Sequence, residues 1–388
     1  MHSTSEIVIS RKALETNLRF IRAQLTDNVE FCSVVKGNAY GHGIELFVPL
    51  AESLGVRQFA VFSADEAKEV LKNRMSDSEI MIMGDIEDDD IPWAIENGIS
   101  FYIFDMERLD AALVGAKKLR IPAKIHLELE TGMHRTGLEM GALELVLARL
   151  KKKPDLWRME GICTHLAGAE SVTNHLRIQN QIKKFEDIVE WIRGKGFNSG
   201  RLHIASSAAT LLYPDTHLDM VRVGIAQYGY WPTVETKMHF LLEKGGESAL
   251  HMKDPLRRII RWTSKVMSIK EVAPGEFVNY GNAYLTTRRQ KVAVVPVGYF
   301  HGFTRSLSNV GQVLIHGKRC QVVGTVNMNM MVVDVTDLNG VLKGYEVVII
   351  GKQKKMEISV ASFAELTPFL NYEVLVGLPS EIPRRVEN

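Results

Sequence analysis

From residue 30 to about residue 230, short apolar runs alternate with stretches in which apolar residues recur at helical spacing. The runs are Phe31–Val35, Gln58–Phe62, Glu79–Met83, Ser100–Phe104, Ala123–Glu130, Met159–His165, Arg201–Ala205 and Met220–Tyr228. Between them the amphipathic pattern predicts helices over Ile44–Leu54, Ala64–Lys72, Ile91–Glu96, Met106–Leu119, Leu138–Lys152, Asn174–Gly194 and Ser206–Leu212. Helices between apolar strands imply parallel pairing with right-handed crossovers. Eight such units in about 200 residues predict a (β/α)8 barrel of TIM type. An open doubly wound sheet would usually show a break in composition midway, and there is none. A further helix, Arg11–Leu25, capped by Ser10, precedes the first run.

The pattern changes after about residue 233. Thr233–Pro255 is polar and weakly patterned, as a linker or loop would be. Alternating β-rich segments follow: Arg261–Ile269, Phe277–Asn279, Lys291–Val297, Gln312–Ile315, Lys318–Val323, Met331–Val335 and Tyr345–Ile350. Turn residues separate them, among them Pro274-Gly275, His316-Gly317 and Asn339-Gly340. They predict a mostly β-strand C-terminal domain, a distorted barrel or a sandwich, closed by the helix Ser359–Leu366 and the segment Asn371–Gly377. The expected division is a barrel over 1–245 and a β domain over 246–388. The N-terminal strand Glu6–Ser10 is free to pair with the latter.

Composition narrows the function classes. The 388 residues are 46% hydrophobic and 24% charged with a net charge of +1, an ordinary globular balance. No basic block suggests nucleic acid or an anionic membrane as partner, and Lys151–Lys153 simply ends a predicted helix, where cations suit the dipole. The acidic run Glu87–Asp90 reads as a solvated loop leading into the helix at Ile91. No segment has the length of a signal core or a membrane span. Three scattered cysteines, Cys32, Cys163 and Cys320, read as reduced thiols and point to the cytoplasm. No cysteine or histidine spacing suggests a metal site.

In a barrel of this kind working residues lie at the carboxyl ends of the strands. The first run ends in Val34-Val35-Lys36-Gly37-Asn38-Ala39-Tyr40-Gly41-His42-Gly43, with two glycines leading into a new helix. Burial of a lysine at a strand end lowers its pKa and makes the amine nucleophilic, as Schiff-base chemistry with an aldehyde such as pyridoxal phosphate requires. The other run ends bring Arg135, His165, Ser206, Ser207, Arg222, Gly224 and Ile225 to the same rim. Hydroxyls beside free amides at a helix start suit a phosphate, and the Gly224-Ile225 amides are expected to be free.

The Lys36 stretch resembles the cofactor-lysine signature of alanine racemases, pyridoxal-phosphate enzymes built of a barrel and a β domain. The resemblance continues through Glu130–Gly137, Gly161–His165, Ala205–Ala209, Arg222–Ile225, Asn279-Tyr280-Gly281, Gly298-Tyr299, Gly324–Met328 and Asn371-Tyr372-Glu373. It implies that Lys36 carries the cofactor. Tyr40, Ser207, Gly224, Ile225 and Tyr372 would hold the phosphate, with Ser206 beside them. Arg222 would face the pyridine nitrogen, with His165 bonded to it. Lys36 and Tyr280 would be the two acid/base groups on opposite faces of the substrate. Arg135 and the Met328 amide would take the substrate carboxylate or stabilise the site, and Tyr299 and Tyr372 would narrow the mouth. In the family the tyrosine comes from the other protomer, which implies a head-to-tail homodimer with shared sites acting on a small amino acid.

Several positions depart from the family pattern. Glu128 stands where many members carry a carbamylated lysine, and a fixed carboxylate could pair with Arg135 instead. Ser206 replaces a common asparagine, His134 a glycine and His301 an aspartate. Asn327 and Asn329 flank Met328 where a cysteine or serine and an aspartate are usual. Racemisation of another small amino acid such as serine is the near alternative. A related decarboxylase would carry a cysteine-and-aspartate pair in the β domain and a Gly-rich phosphate loop. A non-enzymatic cofactor-binding protein would lack the β domain and Tyr280.

Overall fold

The computed structural model describes residues 3–246, 253–364 and 371–388. The chain divides into two compact units. One comprises Ala13–Ala39 and Phe47–Arg258; the other comprises Met1–Lys12, Tyr40–Leu46 and Ile259–Asn388.

Numbering strands along the chain, β1 (Ser5–Ser10) belongs to the second unit. The first unit is built on β2 (Glu30–Val34), β3 (Gln58–Val61), β4 (Glu79–Ile82), β5 (Ser100–Ile103), β6 (Ala123–Glu128), β7 (Trp157–Cys163), β8 (Arg201–His203) and β9 (Met220–Val223). All pair in parallel, in the order β8-β7-β6-β5-β4-β3-β2-β9. The outer strands β8 and β9 are bridged by Arg222 N donating to Ala205 O at 2.9 Å and Asp219 N donating to Leu202 O at 3.1 Å. Every residue of β5 and of β9 is buried, Ser100 and Arg222 included, which is why these strands read as predominantly apolar runs.

The predicted runs overshoot at their carboxyl ends, the last one most. It stops at Val223, because Gly224 (φ −102°, ψ −100°) turns the chain into the 3-10 helix Ile225–Tyr228. All four helix residues are buried, so a buried turn there has the same apolar signature as a strand. The predicted linker Thr233–Pro255 holds a helix, Val234–Gly245. Thr233 caps it, its hydroxyl accepting from Thr236 N at 3.0 Å, and Phe240 packs edge-on against Phe20 at 5.5 Å. One cap and a pair of buried residues, Phe240 and Leu241, hold it without a full apolar stripe. Residues 247–252 of that stretch lie outside the described residues.

In the second unit, β10 (Ile260–Lys265), β13 (Gln312–Ile315), β14 (Lys318–Gln321), β16 (Glu346–Gln353), β17 (Met356–Ile358) and β18 (Arg384–Glu387) join β1 in one sheet. A smaller sheet holds β11 (Ser268–Val272), β12 (Gln290–Val295) and β15 (Met331–Asp334). β1 lies inside the larger sheet, antiparallel to β10 and parallel to β18, with Ile7, Val8 and Ile9 buried. The predicted strand Arg261–Ile269 breaks in two because the chain crosses between sheets there. Val266 N donates to Tyr345 O and Met267 N to Val294 O, each at 2.8 Å. The predicted strand Phe277–Asn279 is reduced to one bridge, Phe277 to Leu285, since Asn279 is left-handed (φ 70°). Of the predicted helix Ser359–Leu366, Val360–Ala364 is helical, and Glu365 and Leu366 lie outside the described residues.

Candidate active site

Lys36 follows β2, whose ladder is prolonged by Val35 N donating to Ala60 O at 2.8 Å. No right-handed helix starts there. Gly37, Asn38 and Ala39 have φ of 62°, 52° and 54°, and Tyr40 has 52°, a single left-handed turn. Left-handed backbone costs a non-glycine residue roughly 1–2 kcal/mol. The turn is held by Ala39 N on Val35 O at 2.7 Å and by Glu66, whose carboxylate accepts from Gly37 N at 2.5 Å and from Phe62 N at 2.8 Å. The right-handed helix begins only at Ile44. Strain of this kind, over-determined by its surroundings, is a mark of functional segments.

Lys36 is exposed at the rim, against the expectation of a buried side chain. Lost hydration, then Arg135, and also Arg222, lower its pKa, with Glu66 opposing.

Arg222 is buried at the carboxyl end of β9. The histidine it meets is His203, not His165. Its Nη1 donates to His203 Nδ1 at 2.6 Å and to His203 O at 2.5 Å, and Nη2 donates to Thr164 O at 2.9 Å. His165 is half-buried on the loop after β7, where burial and then Arg222, Arg135 and Lys36 push its pKa down to about 3. It stands neutral among three cations, with no hydrogen bond to Arg222.

The contact with Arg222 fixes a directional chain. An arginine only donates, so His203 Nδ1 accepts and Nε2 carries the hydrogen. That nitrogen lies 3.0 Å from His126 Nδ1, and His126 Nε2 lies 3.3 Å from Ser100 Oγ, which donates to Ile80 O at 3.3 Å. Both imidazoles are therefore neutral. Burial drives His126 down to about 3 and His203 well below its ordinary value. Neither histidine is among the residues expected at the site. The available signal was a histidine inside each of two predicted strands, which also carry Lys124 and Glu128 in β6 and Arg201 in β8. Gln181 was equally unexpected; it joins the loops after β6 and β7 through Thr131 Oγ1, His165 O and Ala167 N.

Ser206 takes the N-cap position of the helix Ser207–Leu212 without a side-chain capping bond. The Gly224 amide is not free, since it donates to Ser207 Oγ at 2.9 Å, with Ala226 N at 3.5 Å. Ser207 is buried, and its hydroxyl hydrogen has no acceptor among the described residues. Ile225 opens a 3-10 helix, where the amide has no intrahelical acceptor. Arg135 is exposed and makes no ion pair with Glu128 among the described residues. Glu128 is buried, its pKa raised by burial against Thr136, Arg222 and Arg135, and its Oε2 has no hydrogen-bond partner. The expected pairing of the two is therefore absent: the carboxylate is buried at the end of β6, while Arg135 stays in solvent.

A family model described as the N-terminal domain of alanine racemase matches residues 9–232, and one described as its C-terminal domain matches residues 259–386. The chain belongs to the alanine racemase family. It is 34% identical over 383 residues to an alanine racemase of Leptospira interrogans, covering 99% of this chain and 96% of that protein. The solved alanine racemase of Bacillus anthracis with bound L-Ala-P aligns with a TM-score of 0.88 at 29% identity, covering 100% of this chain and 96% of that one. That of Clostridium difficile 630 aligns with a TM-score of 0.88 at 28% identity over the same shares.

The second unit carries the remaining family positions. Tyr40 is buried and packs against Tyr372 with ring centroids 6.1 Å apart. Gly41 lies so close beneath that a Cβ there would sit 1.9 Å from Leu375 O. Tyr299 and Met328 are brought together by Tyr299 N on Asn327 O and Phe300 N on Met328 O, each at 3.0 Å. Both are exposed, at 44% and 54%, and Tyr280 is 75% exposed on its turn. Among the described residues no cluster could hold a metal ion, and no helix is long and apolar enough to cross a membrane.

Proposed function

We propose that the chain interconverts L-alanine and D-alanine with pyridoxal phosphate as cofactor, using Lys36 and Tyr280 as the two acid/base groups. The observation that carries this reading is the placing of Lys36 and Arg222 on the adjacent parallel strands β2 and β9, where Cys32 pairs with Arg222 and Lys36 follows at the carboxyl end, in a chain of this family.

The residues present suit the cofactor. The unspent Ser207 hydroxyl hydrogen and the Ile225 amide match an anionic phosphate. The family pattern would add Ser206, Tyr40 and Tyr372, and also Gly224, whose amide would have to turn from Ser207 Oγ to the phosphate. Arg222 has further N–H groups after serving His203 and Thr164, and suits the accepting nitrogen of a pyridine ring. Bound pyridoxal phosphate supplies an electron sink that acidifies the Cα–H of an amino acid. Arg222 donates a hydrogen bond there without giving up its proton, which keeps that sink weak and favours prompt return of a proton. Neutral His165 adds no further positive charge. A lowered Lys36 pKa frees the amine to take a proton from one face of Cα, and Tyr280 serves the other. Arg135 and the Met328 amide would hold the carboxylate, and Tyr299 with Tyr372 would restrict the side chain to a small one. The 75% exposure of Tyr280 supports a head-to-tail homodimer in which each copy lends this tyrosine to the other. Three free thiols agree with a cytoplasmic protein.

Incubation of the purified chain with L-alanine in deuterium oxide is expected to give D- and L-alanine labelled at Cα. Lys36→Ala should lose both the labelling and the visible absorbance of bound cofactor. Release of carbon dioxide, or labelling that survives Lys36→Ala unchanged, refutes the reading. A panel of small amino acids including serine sets the substrate range.

A further inference from the structure

Tyr280 has nothing of its own to aim it. Its side chain is exposed and makes no hydrogen bond among the described residues. Its backbone, in contrast, is held at both polar groups. Tyr280 N donates to Asn279 Oδ1 at 2.9 Å, and Tyr280 O accepts from Thr325 Oγ1 at 3.2 Å. The second lone pair of Asn279 Oδ1 accepts from Asn327 Nδ2 at 2.8 Å, and Asn279 Nδ2 donates to Thr325 O at 2.8 Å. This arrangement admits one amide orientation. A flip would turn the Asn279 amide N–H groups toward two other donors.

Asn279 is left-handed at φ 70°, a conformation asparagine tolerates better than most side chains. Gly281 is left-handed too, at φ 70°, so the tyrosine sits at the apex of a tight turn. The turn presses on Gly324, where a Cβ would lie 2.5 Å from Val278 O. A third asparagine closes the far side. Asn309 Oδ1 accepts from Gly324 N at 2.6 Å, and its Nδ2 donates to Ala283 O at 2.9 Å. Asparagines thus fasten the turn on both flanks of a tyrosine that no side-chain hydrogen bond holds.

We propose that Asn279 and Asn327 are positioning residues for Tyr280, fixing through this hydrogen-bonded clamp the direction in which the exposed phenol is presented. The proposal rests on the reading of Tyr280 as an acid/base group. It also accounts for the amide at Asn327, since a shorter serine or cysteine there would not carry the N–H group that reaches Asn279. A phenol displaced by even a fraction of an ångström from its line to Cα loses proton-transfer rate steeply.

The test uses the cofactor-loaded full chain and two variants. Asn279→Gly keeps a residue at home in left-handed backbone while deleting the side-chain bonds, and Asn327→Ala deletes only the Asn–Asn bond. Amide hydrogen exchange across residues 279–281 should speed up about tenfold or more in both, with the melting temperature little changed. Cα deuterium labelling, followed separately for L- and D-alanine, should slow about tenfold for the one enantiomer whose proton Tyr280 takes, and it should not slow further when either change is added to Tyr280→Phe. Unchanged exchange in both variants overturns the clamp. Faster exchange with a labelling loss that persists undiminished in the Tyr280→Phe background overturns the positioning role. Should Tyr280→Phe label both L- and D-alanine at the full rate, the acid/base reading of Tyr280 fails, while the exchange data still decide whether the clamp exists.

Discussion

The neutral histidine pair inside the barrel makes a quantitative prediction about acid. His126 and His203 are buried, and the hydrogen-bond direction imposed by Arg222 leaves neither a place for a second proton. In the unfolded chain each imidazole takes up a proton near pH 6.5. The folded pKa lies below the unfolded one, so on acidification the unfolded state binds more protons and stability falls. The loss starts near pH 6.5 and runs down toward about 3, the value to which His126 is pushed. Between pH 7 and pH 5 one such imidazole removes about 2 kcal/mol, and the pair about 4 kcal/mol. That is a large part of the 5–15 kcal/mol or so that holds a domain together.

The perturbation that isolates this effect is His126→Gln. Glutamine can accept from His203 and donate to Ser100, keeping the direction of the chain while removing one titrating group. Urea denaturation at a series of pH values from 7 to 5 should show wild type losing about 2 kcal/mol more than the variant over that interval. Groups common to both proteins cancel in the comparison. The 15N shifts of both imidazoles should report the Nε2-protonated neutral form throughout. Equal pH slopes in the two proteins, or an imidazolium signal from either ring at pH 6, would refute the assignment of directions.

Two shorter predictions concern the barrel unit. Gly229 has φ 89°, and a Cβ there would sit 1.9 Å from Arg257 O, so Gly229→Ala should cost at least about 2 kcal/mol in the urea transition. A variant as stable as wild type would mean that this backbone contact relaxes freely. Glu128→Gln removes a carboxylate whose Oε2 is buried without a partner and whose pKa burial has raised. Its melting temperature at pH 8 should equal or exceed that of wild type, corresponding to about 0–1 kcal/mol; a clear drop would show that the charged form is paired.

Much of the architecture was legible in the chain. The alternation of apolar runs and amphipathic stretches counts out eight parallel strands, because each strand buries its carboxyl-terminal residues and reads there as a short, mainly apolar run. The motifs around Lys36, Arg222 and Tyr280 were equally legible and carried the family. Strand ends were not: buried turns such as Ile225–Tyr228 and strand continuations share one hydrophobic signature. The helix Val234–Gly245 escaped because a cap and two buried side chains suffice for it.

Only the tertiary structure decided how the polar residues of the site are spent. Sequence order offered no means of choosing His203 over His165 as the partner of Arg222, since one lies at a strand end and the other just beyond one, and hydrogen bonding depends on which one reaches the guanidinium. Nor could it show that the Gly224 amide is taken by Ser207, that Glu128 stands apart from Arg135, or that residues 37–40 wind left-handed. Local residue preference sets the first-order pattern of elements. Which donor meets which acceptor across the barrel is settled by three-dimensional packing, where a buried polar group must find the one partner within about 3 Å of it.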